Sequence, residues 1–345
     1  MAATEIQPGV RFAYPELILY PTFGYYHRRD GGWRLHVAGQ ASEPGPDNLR
    51  RRVLLRILQR LLRVSSADLL DPVFERRVAG FLVQSRKGCR IELQLGDRSR
   101  MLRHRSRRNG HFRDLLRMGD GELESLRETG CVQRGRLDFV ARNVELGHWQ
   151  PGVIHLVDQH GWSVVSDIDD TIKHSEVLER RTLLRNTFLE PFSAVAGMSD
   201  VYQRWAAEGA SFHYVSSSPW QLYPCLQELL WAERFPEGSF HLRPLRLRDS
   251  SLVRWFLARR RVKGRIIGGL LRTLPERQFL LVGDSSEKDP EIYGALARRF
   301  PHQVQRILIR AVPGSELGAE RLARAFRGLH PRRWQLFESP AEIGV

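Results

Sequence analysis

What most constrains this chain is a rhythm in its second half. Short runs rich in Val, Ile, Leu and Phe stand at residues 162–166, 212–216, 279–283 and 306–312, and helical stretches fill the intervals at 199–208, 220–234, 263–273 and 290–299. Ser199 is expected to cap the first of these helices with Gly209 as the stop, and Pro290 to open the last. Parallel strands need crossovers, and the crossovers lie on the faces, so this rhythm predicts a mainly parallel sheet covered on both sides. Ligands of such sheets bind beyond the carboxyl ends of the strands. The pattern begins after GHWQPG at 147–152, so two domains are expected, 1–150 and 151–345.

The first half reads as mostly strand. Residues 89–95 alternate apolar and polar, with Gly96-Asp97 as the turn, and Asn109-Gly110 is a second turn that would let Arg103, Arg105 and Arg107 line one face of a strand. Residues 48–64 differ: Val53, Leu54, Ile57, Leu58, Leu61 and Leu62 share one helical face, with Arg52, Arg56, Arg60 and Arg63 on another. The expectation is a β-rich, sandwich-like module carrying one basic amphipathic helix whose apolar face packs on that module.

Net charge is +15, of which +10 falls in the first 150 residues, so an anionic partner is expected: a phospholipid surface, a phosphorylated substrate or nucleic acid. The seven arginines of residues 98–113 have little aromatic interleaving beyond Phe112, so the stacking platform of single-strand binders is missing and nucleic acid is the least expected of the three. Only four of the 54 basic residues are lysine (Lys87, Lys173, Lys263, Lys288), which singles those positions out. Three scattered cysteines (Cys89, Cys131, Cys225) exclude a disulfide framework and a CxxC zinc knuckle. No apolar run is long enough for a membrane span, and neither a basic n-region nor an apolar h-region opens the sequence, so a soluble, cytoplasmic protein is expected.

Chemistry concentrates where the second-half strands end. The first runs into Ser166-Asp167-Ile168-Asp169-Asp170-Thr171, which sets two carboxylates side by side. Like charges so close are relieved most simply by a divalent cation, and all-oxygen ligands favour Mg²⁺. One carboxylate can then attack phosphorus while the other moves a proton. The second strand ends in Ser216-Ser217-Ser218-Pro219, a hydroxyl among backbone amides suited to a phosphoryl oxygen. The third ends in Gly283-Asp284, with Asp289 five residues on, and Lys263 stands about one helix before it. Each feature alone could be an ordinary helix cap. Three in order, at one edge of one sheet, are hard to attribute to capping.

These residues resemble the haloacid dehalogenase superfamily of phosphotransferases, and more narrowly a lipin-related phosphatidate phosphatase family. The likeness rests on SVVSDIDDTIKHSEV, RTLLRNTFLEPF, FHYVSSSPWQLYP and FLLVGDSSEKDPEIY, within about residues 153–312, and is looser before residue 150 (ILYPTFGYY, GGWRLHVAGQ). The resemblance implies a Rossmann-like sheet of haloacid dehalogenase type. It implies that Asp167 is the nucleophile, that Asp169 is the acid and base, and that Ser216, Ser217 and Lys263 hold phosphoryl oxygens. Mg²⁺ would sit on Asp167, the Asp169 main-chain carbonyl and Asp284, with Asp289 as ligand or support, and Thr171 would order the loop. Arg259, Arg260, Arg261 and Arg265 are alternative sources of the positive charge assigned to Lys263.

Spacing bears on the substrate. From Asp167 to Ser216 the chain has room for one helix and about twenty-five further residues, 173–198, which is a flap and too little for a globular cap. A site without a large cap encloses a small metabolite poorly but can reach a phosphate on something large. Spacing leaves a membrane lipid, a protein and a nucleic-acid end open; the resemblance implies phosphatidate or a related lipid phosphate, with peripheral membrane contact through the basic first domain. The alternatives are a phosphatase of nucleic-acid termini or phosphoproteins, and a lipid-binding module with a vestigial site.

Overall fold

The computed structural model of the chain describes residues 14–43, 49–63, 65, 71–244, 262–315 and 318–344. The first part comprises β1 (Leu17–Tyr20), β2 (Thr22–His27), β3 (Gly32–Glu43), α1 (Leu49–Leu62), α2 (Pro72–Leu82), β4 (Gln84–Ser85), β5 (Ile91–Leu95), β6 (Arg98–Met101), β7 (His111–Met118), α3 (Asp120–Glu128), β8 (Val132–Gln133), β9 (Arg136–Asn143) and β10 (Trp149–Val157). Its strands form one ten-stranded sheet in the order β1-β3-β2-β10-β9-β5-β6, with β4 and β7 branching from β3 and β8 from β9. The alternation read in β5 is real: Ile91, Leu93 and Leu95 are buried and meet Leu137, Phe139 and Ala141 of β9 in one core. The expected sandwich is thus a single branched sheet, because the long β3 carries hydrogen bonds on both edges, to β1 and β2 on one side and β7 on the other.

Three other expectations change. Arg103, Arg105 and Arg107 lie in a turn beyond β6 rather than on a strand: the buried Ser106 anchors it by accepting from Cys89 N–H (2.9 Å) and donating to the Arg86 carbonyl (2.6 Å). Two helices join the one foreseen. Of these, α2 starts at a cap where Asp71 accepts from Val73 N–H at 2.7 Å and Pro72 opens the first turn. The strand β10 straddles residue 150 and pairs wholly within the first sheet, with β2 and β9, so the change of sheet falls at residues 158–161.

The remaining elements are β11 (Trp162–Ser166), α4 (Arg180–Phe188), α5 (Met198–Ala207), β12 (Ser211–Pro219), α6 (Tyr223–Ala232), β13 (Gly238–Arg243), α7 (Val262–Thr273), β14 (Gln278–Asp284), α8 (Asp289–Arg299), β15 (Val304–Arg310), α9 (Ala319–Ala325) and β16 (Trp334–Phe337). The six strands form a second, wholly parallel sheet in the order β13-β12-β11-β14-β15-β16. Its interior strands are apolar on both faces, as in Val164, Val165, Leu281 and Val282, because helices cover both. The chain starts near the middle at β11 and winds out to each side, so the order reverses between β11 and β14, where a crevice opens at the strand ends.

One core crosses between the two parts. Leu58 and Leu62 of α1, and Phe74, Val78 and Phe81 of α2, pack with Leu184 and Phe188 of α4, Val164, and Ile18 and Tyr20 of β1. Of the apolar face expected on α1, Leu58 and Leu62 are buried and Leu61 half-buried, against the second part as well as the β-module, while Arg56 and Arg60 stay exposed. Among the described residues no helix is long and apolar enough to cross a membrane.

Candidate active site

The strand β11 delivers Asp167 at the point where the backbone leaves the sheet. Its N–H donates to the Val282 carbonyl of β14 at 2.9 Å, which fixes its height against the neighbouring strand. The chain then turns sharply, and Asp170 adopts a left-handed φ of 54°. The Asp170 carboxylate accepts from the backbone N–H groups of Ser175 and Glu176 (both 2.8 Å) and Val177 (2.7 Å), so the third acid of the motif fastens the flap. Thr171 is fully buried in this turn, and its hydroxyl has no hydrogen-bond partner among the described residues.

Asp169 is held from two sides. Its Oδ1 accepts from Ser175 Oγ (2.7 Å) and lies 3.0 Å from Lys173 Nζ; its Oδ2 accepts from Ser216 Oγ (2.9 Å) and Ser218 Oγ (2.7 Å) at the end of β12. Ser217, named with Ser216 from the sequence, makes no side-chain hydrogen bond among the described residues; Ser218 is the second hydroxyl at the site.

Lys263, from the first turn of α7, is buried and reaches three acids: Asp289 Oδ1 at 2.6 Å, Asp167 Oδ1 at 3.1 Å and Glu287 at 3.4 Å. Arg265 is exposed, and Arg259, Arg260 and Arg261 lie outside the described residues. Asp284 ends β14, where its Oδ1 accepts from the N–H of Ser286 (2.6 Å) and of Glu287 (3.1 Å) and from the Ser286 hydroxyl.

One oxygen from each of Asp167, Asp284 and Asp289 lies within 4.8 Å of the others, and all three residues are buried. The Oδ2 atoms of Asp167 and Asp284 have no hydrogen-bond partner among the described residues, and Asp167 Oδ1 has only the Lys263 ammonium at 3.1 Å. Buried carboxylate oxygens without donors are costly. A hard divalent cation ligated by oxygen satisfies them, so the donor set fits Mg²⁺.

The electrostatics agree. Burial, reinforced by Asp289, Asp284 and Glu287 and opposed by Lys263, pushes Asp167 well above the usual carboxylate range. Burial and the Asp289 charge raise Asp284 to about 7. Burial disfavours the Lys263 ammonium, yet Asp167, Asp289 and Glu287 outweigh it and keep the lysine charged. Asp169 is the exception: burial opposes its charge, but Lys173 and the hydroxyls of Ser218 and Ser175 hold it well below its ordinary value. In the free site it is ionised.

Of the residues expected from the sequence, Asp167, Asp169, Ser216, Lys263, Asp284 and Asp289 converge at one edge of the parallel sheet. Sequence reasoning missed Lys173, Ser175, Ser218 and Glu287. A signal for Lys173 was present: two of the four lysines, Lys87 and Lys288, are exposed, and the other two are the buried cations of this site. His174, beside Lys173, is an exposed flap residue.

Residues 162–311 match the family described as phosphatidate phosphatase APP1, catalytic domain. Phosphatidate phosphatase APP1 of Saccharomyces cerevisiae is 34% identical over 173 residues, covering 46% of this chain and 27% of the yeast protein. An uncharacterized protein of Schizosaccharomyces pombe is 33% identical over 163 residues, covering 46% of this chain and 26% of the other. The chain spans about a quarter of the length of these relatives.

Proposed function

We propose, on the premise that residues 162–311 belong to the phosphatidate phosphatase catalytic-domain family, that this chain is a Mg²⁺-dependent hydrolase of phosphatidate or a related lipid phosphomonoester. The observation that carries the reading is the meeting of Asp167, Asp284, Asp289 and Lys263 at the ends of the parallel strands, with carboxylate oxygens left unsatisfied. Asp167, Asp284, Asp289 and the Asp169 carbonyl would hold the ion, which when bound supplies charge compensation for the acids and the phosphoryl group. Asp167 attacks phosphorus and forms an aspartyl-phosphate. Ser216 and Lys263 hold phosphoryl oxygens, and Lys263 offsets charge that develops in the transition state. Asp169 takes the proton of the attacking water in the second step. Its role as acid in the first step follows when an arriving phosphoryl group draws the Ser216 and Ser218 hydroxyls off Oδ2, which raises its proton affinity.

Two features support a large, membrane-borne substrate. The flap at 173–198 holds only α4, so no globular cap stands between Asp167 and Ser216. The basic turn of the first domain is also joined to the end of β12 by a chain of contacts. Trp220, just beyond Ser216–Ser218, stacks on Tyr20 with centroids 3.7 Å apart; His111 is 5.9 Å from Tyr20; and Arg107 N–H donates to the His111 carbonyl at 2.9 Å. Arg103, Arg105, Arg107 and Arg108 there are exposed and their side chains make no ion pair among the described residues, with the exposed Met101 and Leu115 nearby in sequence. Attraction of such charges to an anionic bilayer is about 1 kcal/mol each.

Wild-type protein and Asp167→Asn should be compared for Mg²⁺-dependent phosphate release from phosphatidate vesicles, phosphorylated oligonucleotides and phosphopeptides. Release from the vesicles by wild type alone is expected. Full activity of Asp167→Asn would end the mechanism, and preference for oligonucleotide or peptide would overturn the substrate.

A further inference from the structure

Charged side chains are rarely buried without an opposite charge, because desolvation costs several kcal/mol unless a partner offsets it. Arg77 of α2 breaks that pattern. It is buried, makes no ion pair and leaves one guanidinium nitrogen without a hydrogen bond among the described residues; Glu228, whose charge attracts it, is paired with Arg76 instead. What it has instead is an aromatic ring: its Cζ lies 3.0 Å from the centroid of Phe192 in the flap. The ammonium of Lys173 lies 4.6 Å from the centroid of the same ring. Lys173 in turn is 3.0 Å from Asp169 Oδ1 and donates to Ser175 Oγ, which itself donates to Asp169 Oδ1 at 2.7 Å.

One ring therefore carries two buried cations, one from each part of the chain. Cation–π attraction strengthens when the cation is desolvated, so the ring is a substantial partner for both. The flap is braced across its base as well, since His174 N–H donates to the Ser193 carbonyl and Val195 N–H to the Ile172 carbonyl, both at 2.9 Å. With Lys173 and Ser175 on Oδ1, the other oxygen of Asp169 is the one turned toward Ser216 and Ser218, where the reaction is proposed to occur.

We propose that α2 is a working part of the active site: Arg77, through Phe192, seats Lys173, and Lys173 fixes the orientation of the Asp169 carboxylate. Arg77 and Lys173 are positioning residues that touch no reacting atom. The inference rests on the hydrolase reading for its kinetic consequence and on geometry alone for its structural one. It also means that residues 162–311, the segment matching the catalytic family, take part of their support from outside that segment.

The test uses the full chain, with p-nitrophenyl phosphate turnover, thermal denaturation and backbone hydrogen exchange over residues 168–177. Misplacing a catalytic group by about an ångström costs on the order of a hundredfold in rate, so Lys173→Met and Arg77→Met are expected to lower kcat by about tenfold or more with KM little changed. Arg77→Lys, which keeps a cation for the ring, should restore most of the loss. In a Lys173→Met background Arg77→Met should add nothing, because both act through one carboxylate. Exchange at 168–177 should rise in Arg77→Met and stay at the wild-type level in Arg76→Gln, a change on the exposed face of the same helix. Losses that multiply in the double variant, or Arg77→Lys no better than Arg77→Met, would overturn the proposal. A wild-type protein without turnover would count against the hydrolase reading, and exchange would then decide the positioning: unchanged protection in Arg77→Met sinks it.

Discussion

At the scale of single residues, the site is defined by carboxylate oxygens that lack donors. Asp284 has an ordinary value of 3.8 and is raised to about 7 in the fold, first by burial and then by Asp289 and Glu287. For an acid whose pKa rises on folding, the unfolded chain loses its proton first, so stability is full below the unfolded value and falls as pH rises toward the folded one. The metal-free protein should therefore lose thermal stability as pH rises from about 4 to about 7, and Asp167, shifted in the same direction, adds to the effect. Mg²⁺ needs the ionised carboxylates, so saturating MgCl₂ should raise the melting midpoint by several degrees at pH 8 and little at pH 5. Denaturation in EDTA and in MgCl₂ at both pH values checks this; an equal response at the two would contradict it. The sequence exposed most of these residues because each stands in a short motif. It missed Ser218 and Lys173, since which hydroxyl of three consecutive serines turns inward depends on how β12 shifts register against β13 after Val215.

At the scale of elements, the approach of β14 to α8 sets where Asp289 stands. Gly283 allows it: a Cβ there would overlap Asp289 Oδ2 and lie 2.7 Å from the Tyr293 ring. Gly283→Ala should displace the Asp289 carboxylate from Lys263, destabilise the fold by roughly 1–3 kcal/mol as an overpacked core does, and weaken the Mg²⁺-induced rise in melting midpoint. Denaturation with and without MgCl₂ reads both effects; an unchanged response to Mg²⁺ would mean that Asp289 does not hold the ion. Four strands and four helices of the second half were legible because buried parallel strands and amphipathic crossovers leave strong patterns, whereas α4, β13 and α9 were not read. Nor were the short β16 and the helices α2 and α3, since their residues carry no pattern distinct from loops until neighbours bury one face.

At the scale of the whole molecule, the two parts share a core, and the stacked Tyr20 and Trp220 join the first domain to the residue that follows β12. Replacing Arg103, Arg105, Arg107 and Arg108 by Gln should lower binding to phosphatidate-containing vesicles at least tenfold, given about 1 kcal/mol per near-surface charge. The difference should shrink at high salt, with the melting midpoint unmoved. Co-sedimentation at two ionic strengths would show it, and unaltered binding would remove this turn from the membrane face. By itself the sequence determined the parallel α/β half, the strand ends where acids and a hydroxyl gather, and the basic excess of the first half, because periodicity and short motifs are local properties of a chain. Only the tertiary structure decided that α1 and α2 close on the catalytic half, that Lys173 is a buried partner of Asp169, and that Arg77 sits on Phe192. Those pairings join residues far apart in sequence, and no local pattern encodes which distant surfaces will bury one another.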